Sequence, residues 1–233
     1  VRNDTAQYDR LAGQWWLPDG AFAMLHWLAA ARGALVPLAE RPGALLVDLG
    51  CGGGLLAPHV AARGYTHIGV DVVDSALRQA RAHGIVPIKG DVLHLPLGDG
   101  CADVVVAGEI LEHVADLDAA VAQACRLLRP GGRLVLDTLA DTALARFLAV
   151  TVAERVPGLV PRGIHDPALF VNRERLVRLC AEAGVRLSLR GIRPSVPQLV
   201  RWLPRRRGRV EMVPSASTAV LFQGWGVFQG PGD

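Results

Sequence analysis

The chain has 233 residues, 51% of them apolar and 20% charged, and its 25 Lys and Arg against 22 Asp and Glu leave a net charge of +3. That length fits one elaborated domain, and the apolar share supplies a sizeable core, which argues against a disordered or fibrous chain. The near-neutral balance argues against a dedicated nucleic-acid binder.

In chain order, residues 4–36 carry helical spacing, with Tyr8, Leu11 and Ala12 and then Phe22, Leu25, Trp27 and Leu28, interrupted at Pro18-Asp19-Gly20. A strand of buried type over 44–49 ends in Gly50-Cys-Gly-Gly-Gly54. A helix to about 62, a strand over 66–71, a helix over 75–83 and a short strand over 86–89 follow. A strand over 103–108 passes into a helix over 110–128, and Arg129-Pro-Gly-Gly132 turns into a strand over 133–137. Strands alternating with helices at these intervals predict βαβ units and a mostly parallel sheet, the α/β class. Beyond 138 the pattern loosens into a helix over 140–156, a Pro- and Gly-rich stretch over 157–167 and a helix over 173–183. Closing strands are expected over 185–190 and 218–228, with an irregular Pro- and Arg-rich excursion over 193–214. The expected organisation is one domain, 1–233, with a helical cap (1–40), a core (44–138), an inserted cap (139–172) and a C-terminal part (173–233).

Cys51, Cys101, Cys125 and Cys180 are scattered, with no Cys-x-x-Cys pair, which fits neither a disulfide framework nor a zinc ribbon but does fit a reducing cytoplasm. Asp4, Asp9 and Arg10 stand where the apolar core of a secretory leader would be, and no uncharged apolar run approaches the ~18 residues of a spanning helix. The expectation is a cytoplasmic protein, at most peripheral to the inner face of a membrane.

Val47-Asp-Leu-Gly-Cys-Gly-Gly-Gly54 is the most informative segment. Glycines at a strand-to-helix turn allow positive φ and let a ligand approach bare backbone, here at Gly50, Cys51 and Gly52. A dinucleotide fingerprint, Gly-x-Gly-x-x-Gly, fits poorly, because Leu55 stands where its third glycine would be. Asp48, two residues before the first glycine, suits a ligand with a positive amine and no pyrophosphate. Asp71, with Val72 beside it, closes the second strand where a carboxylate can grip both ribose hydroxyls. Asp91, followed by Val92, could accept a hydrogen bond from an adenine amino group. Over roughly 44–138 these positions resemble the class I S-adenosylmethionine-dependent methyltransferases. The resemblance implies a Rossmann-like fold with a mostly parallel seven-stranded sheet, helices on both faces and S-adenosylmethionine as cofactor.

Glu109-Ile-Leu-Glu-His113 follows the fourth strand. On a helix, residues i, i+3 and i+4 share a face, so Glu109, Glu112 and His113 could converge on one divalent ion such as Mg²⁺, Mn²⁺ or Zn²⁺. Leu-Glu-His-Val is also widespread in the class without metal. Trp15-Trp16, Gly20-x-Phe22-x-x-Leu25-His26, Arg32 and Val160-Pro-Arg-Gly-Ile-His-Asp166 with Phe170 resemble the polyprenyl-catechol O-methyltransferases of ubiquinone biosynthesis. That resemblance implies cofactor contacts at Arg32, Gly50, Asp71 and Gly108, with the Arg32 guanidinium pairing the methionine carboxylate. It also implies a metal site at Glu109, Glu112 and His113, and membrane attachment through the insertion at 140–172. The chain departs from the family pattern at Arg162, at Ile164 and in its ending, Leu221-Phe-Gln-Gly-Trp-Gly-Val-Phe228, positions where an acceptor would be shaped.

The expected reaction is methyl transfer to a phenolic or catechol acceptor chelated by the metal. The alternatives are a metal-independent N- or C-methyltransferase and a cofactor-binding accessory subunit without turnover. His165 and Asp166 either orient the acceptor and exchange protons with it or form a locally satisfied loop pair. His26 reads as a core histidine, and Trp15 and Trp16 as packing or a lid. The basic run 201–209, with Trp202 and Leu203, either rests on an anionic membrane or is a solvated loop. The sequence leaves the oligomeric state open.

Overall fold

The structure is a computed structural model that describes residues 2–156 and 159–230. The opening of the Pro- and Gly-rich stretch, residues 157–158, lies outside them. The cap begins with α1 (Ala6–Arg10) and α2 (Ala23–Gly33). The core then runs β1 (Leu45–Leu49), α3 (Ala57–Val60), β2 (Thr66–Asp71), α4 (Asp74–Ala82), β3 (Val86–Lys89), β4 (Ala102–Gly108), α5 (Leu117–Arg126) and β5 (Leu128–Leu139). After these come α6 (Ala143–Arg146), α7 (Arg173–Glu182), β6 (Ser188–Pro194), α8 (Val196–Arg205), β7 (Met212–Ser215) and β8 (Leu221–Val227).

The strands form one sheet of order β3-β2-β1-β4-β5-β8-β6-β7, eight strands where seven were expected. The first five are parallel, and β8, β6 and β7 are added antiparallel. Side chains alternate between the faces of the sheet. Val47, Leu49, Val105, Leu134 and Leu136 face a core shared with α5 and α7. Leu46, Val104, Val106 and Val135 face the other way, toward Leu56 and Val60. The strand order reverses between β1 and β4, the switch point at which open α/β sheets bind ligands beyond the carboxyl ends of their strands.

Four expectations are corrected. The turn at 129–132 is a bulge inside β5: pairing jumps from Ala102↔Leu128 to Val104↔Arg133, so these residues loop out of register. The helix over 140–156 is broken into α6, a π-helical stretch (Phe147–Val152) and a 3₁₀ turn (Ala153–Arg155). The excursion at 193–214 contains α8 and the edge strand β7. Its prolines misled: Pro197 sits in the first turn of α8, where no N–H is needed, and Pro204 falls near the end. Trp202 does not face outward but is buried edge-on against Trp27 at 5.1 Å. Among the described residues no helix is long and apolar enough to cross a membrane.

Candidate functional site

A cavity of about 620 Å³ opens at the switch point, within the range that takes a cofactor-sized ligand. Its walls include Asp48, Gly50, Cys51, Gly52, Asp71, Val72, Asp91, Val92 and Gly108, along with Arg32, Glu109, His113 and His165, whereas Glu112, Asp166 and Trp16 are not part of them. At one end the glycine loop leaves β1 with Gly52 at φ 52. A Cβ there would lie 2.5 Å from the Trp15 ring, so only glycine admits the cap this close. Trp15 stacks on Phe22 at 4.2 Å and is both packing and wall, and Trp16 donates to the Gly53 carbonyl at 2.9 Å. His26 is half-buried with Nε2 2.9 Å from the Trp15 carbonyl oxygen, and burial depresses its pKa, the outcome expected of a core histidine.

Asp71 is positioned by backbone. Gly52 N–H donates to Oδ2 and Val73 N–H to Oδ1, each at 2.8 Å, while burial pushes its pKa up. Each oxygen keeps a second lone pair for a ligand hydroxyl. Asp91 is exposed, and its Oδ1 accepts from Leu93 N–H at 2.9 Å. Asp48 is buried, with its Oδ2 3.5 Å from His67 Nε2.

Arg32 differs from expectation. Alternation puts Asp137 on the same face of the sheet as Val135, toward α2, and Arg32 binds it through Nε to Oδ2 at 2.9 Å and Nη2 to Oδ1 at 2.7 Å. Burial works against the guanidinium charge, but Asp137 outweighs it and holds Arg32 protonated. Two of its three nitrogens are thus committed inside the protein, and Nη1 is the one left for a ligand. The side chain lies across Gly108, where a Cβ would fall 1.9 Å from the guanidinium carbon. The sequence reading missed Asp137; an acid ending an apolar strand run was its only signal.

The Glu109–His113 segment is not the expected helix. Glu109 is left-handed at φ 53, Leu111–His113 is a single 3₁₀ turn, and α5 starts only at Leu117. The i, i+3, i+4 argument therefore fails, and among the described residues no three His, Cys, Asp or Glu side chains gather closely enough to hold an ion as they lie. Glu109 and Glu112 do come together. Thr138 Oγ1 donates to Glu112 Oε2 at 2.7 Å, but Oε1 of both glutamates is buried without a partner among the described residues. Burial, and for Glu109 the neighbouring Glu112, raises both carboxyls above their ordinary range. Orphaned paired carboxylate oxygens, with an imidazole nearby, are a donor set whose chemistry fits a divalent cation.

His113 stacks against His165 at 5.7 Å, and burial, then His165, lowers its pKa to about 3. His165 is buried with Nδ1 3.5 Å from Glu154, whereas Asp166 is engaged locally, accepting from Ala168 N–H at 3.0 Å. Glu154, also missed from sequence, accepts from Arg2 Nη1 at 3.1 Å and from Gly163 N–H at 2.9 Å.

The chain is similar to known methyltransferases. A family described as a methyltransferase domain matches residues 47–136. A ubiquinone biosynthesis O-methyltransferase from Thiobacillus denitrificans is 38% identical, covering 78% of this chain and 82% of that protein. One from a Methylobacterium species is 35% identical over 78% and 81%. Among solved structures, a Thermotoga maritima S-adenosylmethionine-dependent methyltransferase superposes with a TM-score of 0.67 over 95% of this chain and 98% of that one; at 19% identity it speaks to the fold alone.

Proposed function

The chain belongs to the ubiquinone biosynthesis O-methyltransferase family and is an S-adenosylmethionine-dependent methyltransferase; from that premise we propose that its acceptor is a catechol-type phenol carrying an apolar tail, methylated with the help of a divalent ion. The observation that carries this reading is a pair of buried carboxylates, Glu109 in the cavity wall and Glu112 beside it, each with an oxygen that finds no partner among the described residues. The wall beyond them is aliphatic, with Leu25, Leu28, Leu139, Leu148, Ile164 and Val220, and suits a hydrocarbon chain.

Methyl transfer from a sulfonium is an in-line displacement, so the protein's main task is alignment. In this reading the glycine loop, Asp48 and Asp71 hold the cofactor's amino acid and ribose, Val72, Asp91 and Val92 border its adenine, and Arg32 Nη1 with Gly108 meets its carboxylate. The nucleophile is the harder demand. A phenol of pKa ~10 is ionised to about one part in a thousand at neutral pH, a deficit of roughly 4 kcal/mol. A divalent ion bound there stabilises a phenolate and fixes its direction. Glu109, Glu112 and His113 would hold that ion, while His165 flanks the acceptor. Labelled cofactor with a panel of catechols tests the reading. Turnover should vanish in EDTA and return with Mg²⁺. Because the three ligands are not gathered as they lie, a second reading has His113 accept the phenol proton without metal; activity indifferent to EDTA would favour it.

The cavity also suggests how a lipid-borne acceptor arrives. Val196 and Val200 of α8 are exposed beside Arg201 and Arg205, as are Leu144, Phe147 and Val152 of the insertion, and Leu144 and Leu199 line the cavity. Peripheral docking on an anionic bilayer through these two surfaces follows, each arginine adding about 1 kcal/mol. Arg206 contributes less, since it folds over the Trp202 ring at 4.9 Å. Replacing Arg201, Arg205 and Arg207 together should abolish co-sedimentation with anionic liposomes; undiminished binding would refute this docking surface.

A further inference from the structure

We propose that Asn3 is a positioning residue for His113: its amide fixes the imidazole in the Nδ1–H tautomer and leaves Nε2 as a bare acceptor. The contact is reciprocal. Asn3 Nδ2 donates to the His113 carbonyl oxygen at 2.9 Å. Only the NH₂ end of the amide can do that, so the atom 2.8 Å from His113 Nδ1 is the amide oxygen. An amide oxygen only accepts, so Nδ1 carries the proton and a neutral ring keeps its lone pair on Nε2. The assignment of both amide and ring follows from the hydrogen-bond network. Among the described residues Nε2 has no hydrogen-bond partner, and His113 lines the cavity.

Asn3 is itself held. Its φ of 56 is a left-handed conformation that asparagine tolerates better than most residues, and its N–H donates to the Gly163 carbonyl at 3.0 Å. Next to it, Arg2 Nη1 binds both Glu154 oxygens at 3.1 Å and the His165 carbonyl at 2.6 Å. Asn3 is therefore anchored through its backbone to the insertion and through its side-chain amide to the segment after β4. Without that clasp the ring is free to present an N–H to the cavity, which could neither ligate an ion nor take a proton. The functional consequence rests on the acceptor site proposed above; the tautomer does not.

The test is a long-range ¹⁵N–¹H correlation on metal-free protein labelled with ¹⁵N-histidine, the His113 signal being identified by its loss in His113→Gln. The parent should show the Nδ1–H pattern. Asn3→Gly, which suits the positive φ and removes only the amide, should shift His113 to the Nε2–H form. Asn3→Asp, which keeps an acceptor, should retain Nδ1–H. With a catechol acceptor, Asn3→Gly should lower kcat about ten- to hundredfold while KM for the cofactor stays within twofold, and Asn3→Asp should restore part of the loss. A parent His113 that is Nε2–H or doubly protonated, or a tautomer unmoved in Asn3→Gly, overturns the proposal. Failure to methylate any catechol would sink the acceptor reading and leave the tautomer result standing.

Discussion

At the carboxyl ends of β1 and β2 Asp71 commits both carboxylate oxygens to backbone N–H groups, whereas at the carboxyl end of β4 Glu109 and Glu112 each keep a buried oxygen with no partner among the described residues. The first arrangement is complete in the protein alone, so its geometry is fixed before any ligand arrives. The second is unfinished. Desolvated carboxyls without partners take up a proton or a cation, and Glu109 adds a left-handed backbone to the cost. Strain and unsatisfied groups thus gather after β4, and satisfied ones at the glycine loop.

Against Gly108 lies the buried Arg32–Asp137 pair, and breaking it should have the largest effect. Asp137→Ala would strand a guanidinium, and removing one member of a buried pair costs about 3–5 kcal/mol. Thermal unfolding should drop by roughly 10 °C. A shift near zero would mean that Arg32 is solvated or free for ligand, and the sheet would not be what holds it. The contrast between ends is sharpened by a crossed pair of variants. Glu112→Gln should lower kcat by about 10²–10³-fold with cofactor affinity unchanged within twofold. Asp71→Ala should weaken cofactor binding by about ten- to a hundredfold, the worth of hydrogen bonds to a charged group. Calorimetry with S-adenosylmethionine reads the second and initial rates the first. Both variants weakening cofactor equally would erase the division.

That the glycine loop and the acids after it would border one cavity could be read from sequence because the signals are local. A glycine cluster, an acid two residues before it and acids closing the next strands are all set by strand-to-helix turns. The fold was legible for the same reason as far as β5, since β1, β2 and β4 each lead into a helix. Beyond that point the signals depend on partners far along the chain. Asp137 is meaningful only once α2 brings Arg32 to it, and Asn3 only once the cap meets the segment after β4. The Glu109 motif fooled helical periodicity because one left-handed residue shifts every later side chain, something no spacing reveals. Prolines did the same at α8, where they fill helix-compatible positions.

The smallest effect concerns the insertion. Glu154 is buried, and despite that burial the bonds from His165, Gly163 and Arg2 hold its carboxyl at about 2. Its native pKa is below that of the unfolded chain, near 4.5, so its contribution is fully present above pH 4.5 and is lost as pH falls toward 2. Glu154→Gln keeps the shape but removes the charge, and should cost about 1–2 kcal/mol at pH 7. The buried acid pair and His113 also titrate as pH falls, but they do so in both proteins and largely cancel from the difference. Denaturant midpoints of parent and variant should therefore differ at pH 7 and converge between pH 4.5 and 2. A gap that persists unchanged to pH 2 would mean that packing, not charge, latches the insertion.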